Sequence, residues 1–165
     1  MTSQEDIPAM SDLHEGDPAP DFELETDTDG TIRLSGFRGR KVVVYFYPKD
    51  NTPGCTTEAK DFSALLDEFE KADTAVIGIS PDTVRKHQNF RQKHDLEVIL
   101  AADPERRVIE PWGVWKEKSM YGRKYMGVER STFLIDREGK IARIWRKVKV
   151  KGHAGEVLKA ARELA

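Results

Sequence analysis

From residue 41 onward, unbroken apolar runs alternate with helix-period stripes, and their order predicts a sheet interleaved with helices. The run KVVVYFY (41–47) is β-branched and aromatic throughout, the pattern of a strand buried on both faces, and it stops at Pro48. From about Thr56 the period changes: Ala59, Phe62, Leu65, Leu66 and Phe69 recur every three or four residues, which predicts one apolar helical face. TAVIGIS (74–80) is a second buried strand, and SPDTVRKHQNFRQKHD reads as a helix capped by Ser80 or Asp82. EVILAAD is a third strand, and PERRVIEPWGVW predicts a short helix ending near Pro111. STFLIDREGKIARIW reads as two strands joined by a tight turn at Asp136 to Gly139, and GHAGEVLKAARELA as an amphipathic C-terminal helix.

Upstream, the prolines of GDPAPDFEL enforce an extended start with Phe22 and Leu24 pointing inward. TDTDGT is a turn signal, and IRLSGFRGR a short strand followed by a loop. Residues 1–15 are polar and irregular, so we expect a loose N-terminal leader ahead of a single domain over 16–165. Strands alternating with helices imply βαβ units, while the late hairpin adds antiparallel strands. The expected fold is α/β, with a mixed central β-sheet flanked by helices on both faces, the thioredoxin-like class of architecture.

Composition narrows the function. The 165 residues are enough to bury a core without staples, and 34% charged residues against 38% hydrophobic ones describe a well-solvated chain. A net charge of −2 creates no global field for nucleic acid or membrane. The charge is nevertheless uneven: residues 1–30 hold ten acids and no lysine or arginine, whereas KIARIWRKVKVK (140–151) holds six basic residues. Its interleaved Ile141, Ile144, Val148 and Val150 make that segment a strand with solvated alternate positions rather than a polyanion site. With one cysteine and four scattered histidines, the chain has neither an internal disulfide nor paired metal-ligand spacing, so no metal or cofactor is expected. MTSQEDIPAM lacks the basic and apolar regions of a signal peptide, and no run approaches the roughly 20 apolar residues of a membrane span. The expected location is the cytoplasm.

The chemistry concentrates in FYPKDNTPGCTTEAKDF (46–62), which carries that single cysteine, Cys55. The order of elements places residues 48–55 at the C-terminal end of a central strand, the edge where sites of α/β sheets collect. Cys55 then opens a helix, where free backbone N–H groups and the helix dipole favour a thiolate, the nucleophilic form. Pro53 stiffens the turn, Gly54 allows close approach, and Thr52 brings a hydroxyl three residues before the sulfur. In the slot where a Cys-x-x-Cys motif would have its first cysteine stands Thr52, so dithiol exchange within one site is unavailable. A lone thiolate can still be oxidised to a sulfenic acid and returned by another thiol.

Pro48, Thr52 and Cys55 match the Pro-x-x-x-Thr-x-x-Cys signature of peroxiredoxins. With GDPAPDFEL, GISPD, WGVW, MYGRKYMG, RSTFLID and WRKVKVKGHAGEVL in order, the chain from about Gly16 resembles the bacterioferritin comigratory protein, or peroxiredoxin Q, subfamily. The resemblance implies a thiol-dependent peroxidase reducing hydrogen peroxide and organic hydroperoxides in antioxidant defence. Cys55 would attack the peroxide, Thr52 would hydrogen-bond it, and Pro48 would shield the thiolate. Arg130 would stabilise the developing charge, with Glu58 orienting that arginine.

The chain departs from the subfamily in one respect. Many members carry a resolving cysteine five residues after the attacking one, or on the next helix; here the first position is Lys60, and no second cysteine exists. This implies a one-cysteine cycle completed by an external thiol: thioredoxin, glutaredoxin with glutathione, or a transient Cys55–Cys55 bridge between two chains that are otherwise monomers. A peroxide-sensing switch or partner-binding module without efficient turnover is the alternative. His87, His94 and His153 are expected at the surface or at helix caps. Trp112, Trp115, Tyr121 and Tyr125 are expected in packing, some of them lining an apolar approach to Cys55.

Overall fold

The computed structural model describes residues 12–28 and 30–165. Most of the expected leader, residues 1–11, therefore lies outside the described residues, as does Asp29 in the turn of TDTDGT. The strands are β1 (Glu23–Thr26), β2 (Thr31–Arg33), β3 (Lys41–Phe46), β4 (Thr74–Ser80), β5 (Ile99–Ala102), β6 (Trp115–Met120), β7 (Arg123–Val128), β8 (Ser131–Ile135) and β9 (Ile141–Trp145). The helices are α1 (Pro53–Ala64), α2 (Leu66–Lys71), α3 (Val84–His94) and α4 (His153–Glu163), with a 3₁₀ turn at Leu34–Phe37. Seven strands form one sheet in the order β2-β1-β5-β4-β3-β8-β9, and β6 and β7 form a separate hairpin. Strand β3 lies parallel to β4 and antiparallel to β8, so the sheet is mixed, as the sequence pattern implies.

All six residues of β3 are buried, because the strand is covered on both faces. Its period of two sends Val42, Val44 and Phe46 into one core layer and Val43 and Tyr45 into the other. The four α-helices all bury side chains in the second layer, among them Phe62, Phe69, Phe90 and Val157. Helical cover is therefore uneven. The first layer is closed by Leu34 of the 3₁₀ turn, by Phe22 and by Trp112.

Local chemistry explains four departures from the expected elements. The predicted helix near PERRVIEPWGVW is a chain of turns, because the Asp103 carboxylate accepts the backbone N–H groups of Arg107, Val108 and Ile109 and Arg106 takes φ 60°. Thr83, rather than Ser80 or Asp82, caps α3 by accepting the N–H of Lys86. The apolar stripe from Thr56 to Phe69 breaks at Leu65, giving two helices instead of one. Residues 115–128, read only as packing aromatics, form the β6–β7 hairpin.

His87 and His153 overturn their expected surface positions. His87 lies one turn before Phe90 on the inner face of α3 and has no exposed area. Its Nδ1 sits 2.7 Å from Asp50 Oδ2, and its Nε2 lies 3.0 Å from the Ala101 carbonyl. The carbonyl only accepts, so Nε2 carries a hydrogen and a second proton is shared between Nδ1 and the carboxylate. Tyr47 donates to the other oxygen of Asp50 at 2.6 Å, and Asp82 accepts the Asp50 N–H at 2.8 Å. His153 bonds Thr132 Oγ1 at 2.8 Å, and burial, reinforced by Arg130 and opposed by Glu156, pulls it down to about 4. No helix among the described residues is long and apolar enough to cross a membrane.

Removing His87 leaves the Asp50 carboxylate buried beside an empty space. His87→Ala should cost about 3–5 kcal/mol in urea unfolding, whereas exposed His14→Ala should stay within about 0.5 kcal/mol. Equal losses from the two would contradict a structural role for the Asp50–His87 pair.

Candidate active site

Strand β3 ends at Phe46, and a loop through Pro48, Lys49, Asp50 and Asn51 carries the chain from the sheet edge to α1. Asn51 takes φ 64°, a left-handed conformation that asparagine tolerates better than most residues. Thr52 is the N-cap residue in extended conformation, and Pro53 occupies the first helical position, where its missing N–H costs nothing. The first helical bond runs from Thr56 N to Thr52 O at 2.9 Å. The amides of Gly54 and Cys55 precede it and have no acceptor within the helix. Cys55, third in α1 and 2% exposed, thus sits at the positive end of the helix dipole.

The loop does not rest on its own sequence alone. The Asp50 network with Tyr47, Asp82 and His87 ties its midpoint to α3, through His87 to β5, and through the Asp82–Ser80 bond to the end of β4. None of these four was singled out in the sequence as a site residue. The only local signal was an apolar-face histidine, and its partner is 37 residues distant.

Arg130 reaches α1 from the short link between β7 and β8. Its Nη1 donates to Glu58 Oε1 at 2.6 Å and its Nη2 to Cys55 Sγ at 3.3 Å. Cys55 and Glu58 are three apart on α1, hence neighbours on one helical face, and one guanidinium spans both. Burial alone would lower the arginine, but Glu58 and Cys55 outweigh it and hold Arg130 above its usual value. Glu58 is 1% exposed; burial pushes its carboxyl up to about 7 against the pull of Arg130. Its Oε1 accepts from the arginine, while buried Oε2 has no partner among the described residues and is the natural seat of a proton.

Gly54 makes the approach of the arginine possible. A Cβ at that position would sit 3.2 Å from Arg130 Nη2. The structure therefore brings Cys55, Arg130, Glu58 and Gly54 together. Thr52 flanks them, its hydroxyl donating to Lys49 O at 2.8 Å, and half-buried Pro48 stands at the start of the same loop. Lys60 is exposed on α1. Tyr45, behind the site, stacks on Phe62 at 4.6 Å and has a buried hydroxyl without a partner among the described residues. Among those residues no group of three or more histidines, cysteines and carboxylates is placed to hold a metal ion.

With this geometry in hand, comparison with known proteins is informative. The family model described as AhpC/TSA family matches residues 15–144. The chain is 49% identical to peroxiredoxin Bcp of Bacillus subtilis over 150 residues, covering 91% of this chain and 96% of that one. It is 48% identical to a putative peroxiredoxin bcp of Coxiella burnetii over 87% of this chain and 95% of the relative. Among solved structures, Xanthomonas campestris peroxiredoxin Q superposes with a TM-score of 0.82 at 45% identity, covering 86% of this chain and 90% of that one. The thioredoxin-like fold class expected from the sequence is thereby established. The Xanthomonas protein was also solved with one or another cysteine replaced by serine, and as the bacterioferritin comigratory protein in work on alkyl peroxide reduction.

Two substitutions test the site. Gly54→Ala should slow oxidation of Cys55 by peroxide about tenfold, measured by stopped-flow, with the fold intact by circular dichroism, because Arg130 is pinned by Glu58 and yields poorly. Between the ordinary carboxyl value of 4.5 and about 7, folded Glu58 keeps a proton that the unfolded chain has released. Its contribution to stability must then weaken as pH rises through that window and level off above it. Urea titrations of wild type and Glu58→Gln should show the wild-type advantage shrinking from pH 4.5 to 7; a difference independent of pH would refute the assignment.

Proposed function

The chain belongs to the AhpC/TSA family, within its peroxiredoxin Bcp branch, and on that premise we propose how its own residues carry out peroxide reduction. The protein is a thiol-dependent peroxidase. Cys55 thiolate attacks one peroxide oxygen, an S–O bond forms as the O–O bond breaks, and the sulfur becomes a sulfenic acid. The departing alkoxide, or hydroxide from hydrogen peroxide, takes a proton and leaves as alcohol or water. Arg130 places a fixed cation beside sulfur and leaving oxygen, where negative charge moves during the step. The observation that carries this reading is the single guanidinium spanning Glu58 and Cys55 at a helix start.

Thr52 already spends its one hydroxyl hydrogen on Lys49 O, so its lone pairs are the part left for the substrate. They accept the O–H of the terminal peroxide oxygen and aim that same oxygen at sulfur, so that the alkoxy oxygen is the one to leave. Pro48 contributes no N–H and walls the loop side of the site, and Glu58 orients Arg130. Residues 16–165 act as one domain in this reading, since one core layer draws on residues from Ala19 to Ile141, the other on residues from Val43 to Ala161, and β3 feeds both.

Regeneration requires a thiol from outside the chain. That thiol attacks the sulfenic sulfur and expels water, giving a mixed disulfide; a second thiol then releases Cys55 and leaves as the disulfide. With Lys60 where a second cysteine would stand, each regeneration step is intermolecular. Thioredoxin, glutathione with glutaredoxin, and a second chain are the candidate donors. A monomer in the cytoplasm is the working state we assign.

Mixing reduced protein with a slight excess of hydrogen peroxide should rapidly consume one thiol and add one oxygen by mass. Arg130→Ala should lower that rate constant by roughly 10²–10³-fold, and Cys55→Ser should abolish it. Wild-type oxidation no faster than that of free cysteine would refute the reading. If no thiol system sustained repeated turnover, the sensor alternative would replace the peroxidase.

A further inference from the structure

The exposed large apolar side chains among the described residues all belong to the β6–β7 hairpin: Met120, Tyr121, Tyr125 and Met126. The hairpin forms its own two-stranded sheet and turns through Tyr121 and Gly122, at φ 53° and 78°. A two-residue turn with both central residues left-handed favours asparagine, aspartate or glycine, and a bulky side chain there is an outlier. Tyr121 is nonetheless 98% exposed, so neither local conformation nor burial accounts for it. Tyrosine is, however, one of the residue types enriched at the centre of protein–protein contacts.

Charge and position give the patch a direction. WKEKSMYGRKYMGV (115–128) contains four basic residues and one acid. Lys116 is paired with Asp12 at 3.5 Å, but no carboxylate among the described residues pairs with Lys118, Arg123 or Lys124. The register Lys118↔Tyr125 and Met120↔Arg123 puts those four on one face of the hairpin. Gly127 shares that face, and a Cβ there would meet Lys118 Cδ at 3.4 Å, so the lysine leans across it toward the hairpin base. At that base the chain runs through Glu129 into Arg130, which holds Cys55. The Lys118 ammonium lies within the field of the site: burial and Arg130 hold it below its ordinary value, and Cys55 and Glu129 partly offset them.

We propose that this basic, apolar face of the hairpin, centred on Tyr121, docks the protein dithiol that reduces oxidised Cys55. The occupant is a reductase whose exposed cysteine sits in an apolar surface ringed by carboxylates. It seats Tyr121, Tyr125 and Met120 in that surface and pairs its acids with Arg123 and, nearer the base, Lys118. A footprint of about 800 Å² on each partner reaches from the hairpin tip to its base. The inference rests on the peroxidase reading, because only a chain that depends on external thiols needs this contact.

Tyr121→Gly suits the test, since glycine adopts the turn conformation freely and the variant keeps its fold. The second variant is Arg123→Glu, on the same face. Turnover is measured with an acidic thioredoxin and its NADPH-dependent reductase, and separately with dithiothreitol. Both variants should lose tenfold or more in kcat/KM for thioredoxin, while dithiothreitol-supported turnover and peroxide oxidation of Cys55 stay within twofold. Added salt should weaken the wild-type reaction with thioredoxin and leave the charge-reversed variant nearly flat. Losses shared equally by both reductants, or absent from both, would overturn the docking face. So would a wild-type dimer that the variants dissociate, which would assign the face to a second copy. Slow oxidation of wild-type Cys55 by peroxide would remove the peroxidase reading and this one together. Fast oxidation with unchanged thioredoxin kinetics would remove this one alone.

Discussion

One guanidinium, that of Arg130, holds two groups of α1 at once, and the chemistry proposed for the site depends on its staying there. A single hydrogen bond would let the arginine pivot about its flexible stem. Two donors fixed to Glu58 and Cys55, one helical turn apart, define both its position and its plane. The cation must also come from outside the helix, because only an element crossing the start of α1 can face both residues. The antiparallel pairing of β8 with β3 supplies that element: Ser131, next to Arg130, is in register with Phe46, at the end of the strand that feeds the loop to Cys55. Gly54 completes the fit by leaving the guanidinium its space.

Burial makes the pair both strong and sensitive. Glu58 lies in a layer of aromatic side chains, where a carboxylate with one satisfied oxygen is poorly solvated. Its proton therefore sits near neutrality, and the charge balance around Arg130 changes in the range where a thiolate must also be kept. On the far side of the loop, Asp50 and His87 solve the same problem differently. There every polar atom finds a partner, and the network anchors the backbone.

In the proposed one-cysteine cycle, regeneration of Cys55 falls to a partner met at the surface. The related Xanthomonas protein has more than one cysteine to substitute, whereas this chain has Cys55 alone. A sulfur buried at a helix start suits a small peroxide, but exchange with a protein thiol needs a partner held nearby in a defined orientation. The β6–β7 hairpin is the part of the described surface with anchors suited to that purpose, and it shares a covalent path of a few residues with Arg130.

The strands β3, β4, β8 and β9, the C-terminal helix and the cysteine-bearing turn were legible because each is written in local periodicity and turn chemistry. So was the mixed sheet, since alternating strand and helix patterns admit few topologies. The spaced signature pointed to Pro48, Thr52 and Cys55 and the family resemblance to Arg130, although only the fold brings Arg130 within 3.3 Å of the sulfur. What stayed hidden was decided by partners distant in sequence. The Asp103 carboxylate turned an expected helix into turns, Asp50 drew His87 into the core, and cross-strand pairing made a hairpin of residues 115–128. Propensity and spacing act over a few residues, so the sequence by itself determined the elements and the reactive thiol. Burial, charge pairing and register act between chain segments, so the tertiary structure alone decided which polar groups meet.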